Sequence, residues 1–573
     1  MEAQVYPVVI VGAGPVGLTA SLLLSALGIE HLVVERSDRL HAAPQAHVLK
    51  TRTLEIFRTL GIADVVHARA TPREQLRYIN WFWRLTSPMI ASLDLSSARL
   101  GDWLDAISPT RAANLPQDEL EELLAEEVTR RRTSILFQTE CTRVETGDRA
   151  ATVTLRDLRT GELRNVTADY VLAADGAGSM LRRQAGIEMV GPTAIAHFIS
   201  IYFHSDLSQW LADRPANVNW CLNPDATGSL IVHAMARRSV FMYPYDAELE
   251  GPADFDEPRC RRILASAIGD DAHPVEIKAI GNWTMTAQVA ERYRAGRLFL
   301  VGDAAHRFPP TGGLGLNTGV QDAFNLVWKL ALVRAGLAGE GLLDTYEAEC
   351  QPVAKANCSQ SLSNQLRNEG VAEALGLNGD REHALAAFAA LDTLGPSSEA
   401  LRQKIQAAAN DQAPHYISFG LDLGYVYENG AVIPDGSERS WAGSTEYIPN
   451  TRPGARLPHT WVEQNGERLS IHDLLAYDRF TLLAGEAGHG WIAAAKGADW
   501  PLKVALVGAG ASIHDPHGQW AELRGHSPTG ALLVRPDGHV AWRVDEMPRD
   551  PTLALRTTFQ TILRSSENAA RVA

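Results

Sequence analysis

The chain is short of cysteine and of positive charge, and each shortage excludes a class of function. Five of its 573 residues are cysteines, Cys141, Cys221, Cys260, Cys350 and Cys358, with no C-x-x-C pair and no metal-ligand spacing. They read as reduced thiols that serve packing, and no metal site is expected. None lies beyond 358, which excludes thiol redox chemistry from everything downstream. Lysine plus arginine total 53 against 68 aspartates and glutamates, a net charge of −15. That balance argues against nucleic acid or an anionic membrane as a main partner. An unbroken apolar run of membrane length is missing too. Val5 to Ile29 carries no charge, but Gly12, Gly14, Pro15 and Gly17 interrupt it and no basic segment precedes it. It reads as a buried strand and helix, and the protein as cytoplasmic.

What remains is ordinary globular composition, 45% hydrophobic and 21% charged. The length exceeds the roughly 100–200 residues typical of one domain, so three or four domains are expected.

The most informative stretch is Gly302 to Asn317, Gly-Asp-Ala-Ala-His-Arg-Phe-Pro-Pro-Thr-Gly-Gly-Leu-Gly-Leu-Asn. It follows the apolar run Leu298 to Val301 and precedes Thr318 to Arg334, where Val320, Phe324, Val327, Trp328 and Ala331 recur at helical spacing. A strand, a glycine-rich loop and a helix in that order offer backbone N–H groups to a phosphate or an electron-rich ring edge, and Asp303 can accept a hydroxyl hydrogen bond.

A second such layout stands near the N-terminus, where the strand Tyr6 to Val11 leads through Gly12-Ala-Gly14-Pro-Val-Gly17 into the helix Leu18 to Leu27. Gly12 makes the turn, Gly14 lets backbone approach a pyrophosphate, Gly17 allows close packing, and Glu35 ends the next strand where it can accept ribose hydroxyls. Alone this motif fits NAD or FAD equally.

The Gly302 loop resembles the second flavin-contacting motif of single-component FAD-dependent aromatic hydroxylases, most closely the phenol, dichlorophenol and hydroxybiphenyl monooxygenases. The resemblance implies that Asp303 binds a ribityl hydroxyl of FAD and that backbone from Gly315 through Leu316 and Asn317 meets the pyrimidine end of the flavin. It places Gly302 in the cofactor loop and the Pro310 carbonyl beside both substrate and flavin. Pro44 to Glu55 resembles the segment beneath the flavin, with Gln45 where the family usually has an arginine. Arg36 and Gln45 are grouped with the cofactor residues. His47 matches a histidine that hydroxybiphenyl-type enzymes place near the phenol. An unperturbed imidazole, with a pKa of about 6.5, could take that proton; the alternative is a histidine hydrogen-bonded inside the domain.

By the same resemblance Gln117, after Leu115-Pro116, reaches the ribityl chain. Asp175 in Ala174-Asp175-Gly176 supports the flavin, unless it forms an ordinary pair with Arg182. Glu119, Glu121, Glu122, Glu126 and Glu127 read as a solvated helix face rather than a metal site. Cys350 also stands where the family usually has an arginine.

The implied fold is α/β, a Rossmann-like FAD-binding domain with an inserted β-sheet substrate domain and a C-terminal thioredoxin-like domain. The expected boundaries are 1–77, 104–187 and 291–430 for the FAD-binding domain with its helical region. Residues 78–103 and 188–290 form the substrate domain, and 440–573 the thioredoxin-like domain, expected to serve packing or dimerisation. The aromatic segment Tyr78 to Trp83 is either part of a lid over the ring or core. Val507 to Ser512 reads as a turn.

The implied activity is hydroxylation of a phenolic substrate ortho to its hydroxyl. NADH or NADPH docks transiently as reductant, and O2 reacts through a C4a-hydroperoxide of noncovalently bound FAD. An oxygenase acting on a polycyclic aromatic or quinone would show the same motifs. An FAD-binding redox sensor, or more distantly an NAD dehydrogenase, is the reading from outside this class. A homodimer is compatible with the sequence.

Overall fold

The computed structural model describes residues 4–41, 43–377, 381–391, 395–496 and 499–564. Positions 1–3 and 42 of the expected first domain, 378–380 and 392–394 of its helical region, and 497–498 and 565–573 of the C-terminal domain lie outside the described residues.

Gln4–Val11 sits inside an eight-stranded sheet, flanked in parallel by His31–Val34 and by Leu163–Ala173, with Leu298–Leu300 parallel to the latter. Val8 to Val11 are buried, as expected of a parallel strand covered on both faces. Because these strands run the same way, the loops after Val11, Ala173 and Leu300 all leave the same edge of the sheet. Open α/β sheets bind ligands at that carboxyl edge.

The helix Pro15–Ala26 carries proline at its first position, where no N–H is needed, and buries Leu18, Leu22, Leu23 and Leu24. It is apolar on all sides because it packs against the helices Gln117–Arg130 and Gly315–Arg334. Gln117–Arg130 turns Leu120, Leu123, Leu124 and Val128 inward. Its acids are not all solvated, contrary to the sequence reading. Glu121 is fully buried and holds Gln117 and His41, while the buried Glu127 pairs with Arg130. Gly315–Arg334 starts three residues before the expected Thr318, so Leu316 and Asn317 form its first turn.

The inserted sheet has seven strands in the order Glu276–Met285, Ala196–His204, Arg238–Tyr245, Gly228–Ala234, Ala216–Cys221, Tyr78–Phe82 and Met89–Asp94. Trp81 and Trp83 are buried. Trp83 stacks on Phe388 at 4.3 Å, and Trp81 packs with Val371, Leu375 and Ile405 of the helical region. That aromatic segment is therefore core beneath the helices.

The C-terminal sheet runs Leu502–Val507, Phe480–Gly485, Ala531–Val534, Val540–Val544, one parallel pair followed by antiparallel neighbours, a thioredoxin-like arrangement. The 507–512 stretch is a turn in which Gly508 and Gly510 have positive φ. Phe480, Leu482, Phe559 and Leu563 bury themselves against Trp328 and Leu342 of the first unit. Each such side chain contributes about 1.5–3 kcal/mol by leaving water. Among the described residues no helix is long and apolar enough to cross a membrane.

Candidate active site

The three motif glycines have different reasons to be glycine. A Cβ on Gly12 would fall 2.2 Å from the Ala174 carbonyl oxygen, and one on Gly17 would fall 2.1 Å from that of Gly12. Protein packing alone demands those two. A Cβ on Gly14 would meet nothing within 4 Å, so the protein leaves open space before the N-terminus of Pro15–Ala26. Beside it lies a cleft of about 290 Å³ lined by Ala13, Gly14, Glu35, Ser37, His41 and Glu121. Glu35 accepts from the Ala13 N–H at 2.8 Å through Oε2 and from Ser37 N–H at 2.9 Å through Oε1, which fixes its carboxylate at the strand end. Arg36 next to it is exposed.

Gln117 and the segment from Pro44 are stitched together. The Gln117 N–H donates to the Ala46 carbonyl at 2.8 Å, and its Oε1 accepts from Ala46 N–H at 3.4 Å. Its Nε2 donates to Glu121, which also holds His41 Nδ1 at 2.9 Å and raises the proton affinity of that imidazole. Gln45 is exposed.

In the third loop Gly302 adopts φ 60° and donates its N–H to Asp322, whose carboxylate also meets His306 Nε2 at 2.8 Å. Asp322 thereby fixes the loop from the helix behind it. Gly319, which the sequence reading passed over, is needed too. A Cβ there would fall 2.6 Å from Val16 Cγ2 and 2.9 Å from Gly302 Cα, so the two glycine loops are packed into one another. Asp303 is open to solvent yet walled in by protein, as at the floor of a cleft; that enclosure raises its carboxyl against the pull of His306 and Arg307. Asp175 accepts from Leu181 N–H through Oδ2, while its Oδ1 and two guanidinium nitrogens of Arg182 lack partners among the described residues, so the two residues do not form the ordinary pair. Pro310 is exposed, and its carbonyl accepts from Gly313 N–H at 3.0 Å.

Asn317 spends its whole side chain on the protein. Oδ1 accepts from Lys50 N–H at 2.8 Å and from the Thr53 hydroxyl at 2.7 Å, and Nδ2 donates to the carbonyls of Val48 and Gly313. Its contribution to a ligand is therefore backbone. The first-turn N–H groups of Gly315, Leu316 and Asn317 have no intrahelical acceptor, and a Cβ on Gly315 would meet nothing within 4 Å.

His47 stands between this assembly and the inserted sheet. Its Nδ1 faces the amide nitrogens of Asn114 at 2.8 Å and Asn217 at 3.2 Å, and its ring lies edge-on to His233 with centroids 5.4 Å apart. Donors on Nδ1 leave the proton on Nε2. Burial, with the Arg99 cation second, pushes the imidazole down to about 4, well below the unperturbed value the sequence reading started from. Arg99 donates to the Leu76 carbonyl, and burial lowers its own pKa to about 10. Burial likewise brings the Lys50 amine down to about 8, opposed by Asp422. Asn114, Asn217, His233 and Arg99 carry no motif. Only Asn114, adjacent to Leu115-Pro116-Gln117, had a positional hint in the sequence.

Residues 5–361 match the family described as the FAD binding domain, and residues 450–564 match the aromatic-ring hydroxylase C-terminal family. The chain belongs to the FAD-dependent aromatic-ring hydroxylases. Among relatives of this hydroxylase, the 2,4-dichlorophenol 6-monooxygenase of Delftia acidovorans is 32% identical over 574 residues, 97% of this chain and 98% of that protein. A putative polyketide hydroxylase of Streptomyces halstedii is 34% identical and covers 97% of each chain. Among solved structures, the flavin-dependent monooxygenase PieE in complex with FAD and substrate superposes with a TM-score of 0.92 at 36% identity, over 98% of this chain and 99% of its own.

The residues of this hydroxylase fit FAD. The space at Gly14, the solvent-facing Asp303 carboxylate and the free N–H groups at Gly315 to Asn317 lie at the carboxyl edge of one sheet, where a dinucleotide with a hydroxylated chain and a ring edge would use all three.

Proposed function

We propose that this hydroxylase inserts one oxygen atom into a phenolic ring beside its hydroxyl, with NADH or NADPH as reductant and O2 as co-substrate, and that His47 meets the hydroxyl. The observation that carries the reading is the position of His47, which belongs to the segment beneath the cofactor site, touches the inserted sheet, and keeps Nε2 without a protein partner among the described residues. The chlorophenol substrate named for the Delftia acidovorans relative supports the same chemistry.

Bound FAD supplies the redox chemistry, taking electrons from NAD(P)H and passing one oxygen atom of O2 to the ring. The protein binds, orients and excludes water. In this reading Gly12, Gly14 and Gly17 with the helix N-terminus hold the pyrophosphate, Glu35 the adenosine ribose, and Asp303 a ribityl hydroxyl. The Gly302 loop and the backbone of Gly315, Leu316 and Asn317 hold the flavin ring. Gln117 and Asp175 support the chain from the other side, Arg36 and Gln45 flank the mouth, and Pro310 faces the substrate. Residues 78–103 and 188–290 form the substrate domain.

The protonation state of His47 sets its role. A phenol proton would have to move from a group of pKa about 10 to an imidazole of about 4. His47 serves better as a donor, its Nε2–H directed at the phenol oxygen. The Arg99 cation, which acts on the His47 ring, favours the negative charge that grows there as the ring is attacked.

The test is steady-state turnover of the FAD-loaded protein with simple phenols. A phenol should accelerate NAD(P)H oxidation and appear as its ortho-hydroxylated product. Acceleration by none of a panel of phenols would remove the reading.

A further inference from the structure

The inserted sheet contributes two side chains to the surroundings of His47, and both sit on β-bulges. Opposite Tyr78–Phe82 the register passes from Ala216 paired with Tyr78 directly to Val218 paired with Ile79, so Asn217 is the extra residue. Opposite Arg238–Tyr245 it passes from Val232 paired with Ser239 to Ala234 paired with Arg238, so His233 is extra. The strands Ala216–Cys221 and Gly228–Ala234 are neighbours, and the two bulges fall at the same end of the pair, beyond the pairing of Val218 with Ile231. A bulge gives up ladder hydrogen bonds and re-aims one side chain, and bulges gather beside active sites. Two of them aimed at one histidine of another domain are more than sheet packing needs.

The group they build is incompletely satisfied. His233 is 6% exposed, Asn217 2% and Asn114 3%. Nδ1 of His233 and Oδ1 of both asparagines have no hydrogen-bond partner among the described residues. Nε2 of His233, like that of His47, has no protein partner among the described residues. Burying a polar atom without a partner is unfavourable, and a fold that collects several at one spot leaves them for a ligand. All four side chains are neutral at physiological pH, since burial holds both imidazoles below their usual range. The four side chains therefore meet oxygen functions by neutral hydrogen bonds rather than by ion pairs.

We propose that His233 is a substrate-binding residue, and that His47 and His233 together receive two neighbouring oxygens of the aromatic substrate, as in a catechol or a hydroxyl beside a quinone carbonyl. This rests on the monooxygenase reading above and narrows it. A ring with a single oxygen satisfies His47 and leaves its edge-on neighbour unpaired; a second oxygen, ortho or peri to the first, completes the pair.

The experiment compares matched probes on the FAD-loaded enzyme. Phenol is set against catechol, and naphthoquinone against juglone, which adds one hydroxyl beside a carbonyl. Binding is read from the perturbation of the flavin spectrum, and turnover as kcat and KM. The wild type should bind the doubly oxygenated member of each pair about 10–100-fold more tightly, the effect of pairing buried polar groups. His233→Leu should erase that preference, mainly through KM, while changing the affinity for phenol by less than about 3-fold. His233→Gln, which keeps a donor and an acceptor, should retain much of it, and FAD content shows that each variant is folded. Equal wild-type affinity within each pair overturns the proposal, whether or not the leucine variant folds. So does an equal loss for both members in the leucine variant. If the wild type oxidises NAD(P)H faster with none of the four probes and with no other phenol, the monooxygenase reading fails instead.

Discussion

Arg52 donates through Nη2 to the main-chain carbonyl of Asp537 at 2.5 Å, joining the segment from Pro44 to Glu55 to a turn 485 positions downstream. The same guanidinium holds Glu55 at 3.0 Å through Nη1, and Glu55 also receives Arg456 Nε at 2.8 Å. Further along, Arg535 bonds both oxygens of Glu349, at 2.8 and 2.7 Å, and Lys329 reaches the same carboxylate at 2.7 Å. Arg535 and Lys329 thus bring cations to the neighbourhood of Cys350. The C-terminal domain does more than cover an apolar face; it clamps the segment that carries His47.

Arg456→Met tests the clamp. It leaves the Glu55 carboxylate buried with one of its two cations gone, and breaking a buried pair costs on the order of 3–5 kcal/mol. Chemical denaturation should show that loss, with weaker FAD retention alongside it. A change below about 1 kcal/mol, as for an exposed pair, would mean the contact is incidental.

Asp303→Ala removes an enclosed carboxylate that no donor among the described residues claims. If it binds a ribityl hydroxyl, FAD affinity should fall by about 1.5–3 kcal/mol, the worth of a charge-assisted hydrogen bond. Titration of apoprotein with FAD measures it directly, and unchanged affinity would place Asp303 outside the cofactor site.

Mild acid should destabilise the fold through its buried histidines, opposed by the Asp422 carboxyl, which burial pushes up to about 6 and which therefore takes its proton more readily in the folded state. Burial pushes the imidazoles of His47, His526 and His539 down to about 4 and those of His415 and His472 to about 3. In the unfolded chain the same rings take up a proton at about 6.5. Between those limits the unfolded state binds more protons, so stability falls as pH falls, by up to about 1.4 kcal/mol per pH unit for each ring. Glu349, held down to about 2 by Arg535 and Lys329 against its burial, adds its loss only at lower pH, below its own unfolded value. The melting temperature should therefore drop from pH 7 to pH 5. A flat profile across that interval would contradict the buried, neutral histidines.

What the sequence disclosed and what it hid differ in range. The turn at Gly12, the open position at Gly14, Glu35 and the Gly302 loop lie within strand–loop–helix units whose geometry is set over a few residues, so spacing alone revealed them. The helix Gly315–Arg334 begins three residues before its apolar period does, because Gly315, Asn317 and Thr318 in its first turn carry no apolar signal. Glu121 is buried on a face whose run of acids suggests solvent, and one of the partners that satisfies its carboxylate, His41, lies 80 positions away. Asn217 and His233 were missed because a bulge arises from how two strands pair, and neither strand alone carries its mark. The low pKa of His47 belongs to the same class, since it comes from enclosure by two domains.

The central claim, that His47 meets the phenol oxygen of an FAD-dependent hydroxylation, is tested most directly by the yield of hydroxylated product per NAD(P)H consumed. That ratio should be followed in wild type and in His47→Ala from about pH 6 to pH 9. The variant should keep its FAD and its flavin reduction, lose about 10²–10⁴-fold in hydroxylation rate, and divert reducing power to hydrogen peroxide. Its yield should recover in part at high pH, where solvent supplies the phenolate that the missing donor no longer steadies. A variant with wild-type yield at every pH would contradict the account and return His47 to a purely structural role.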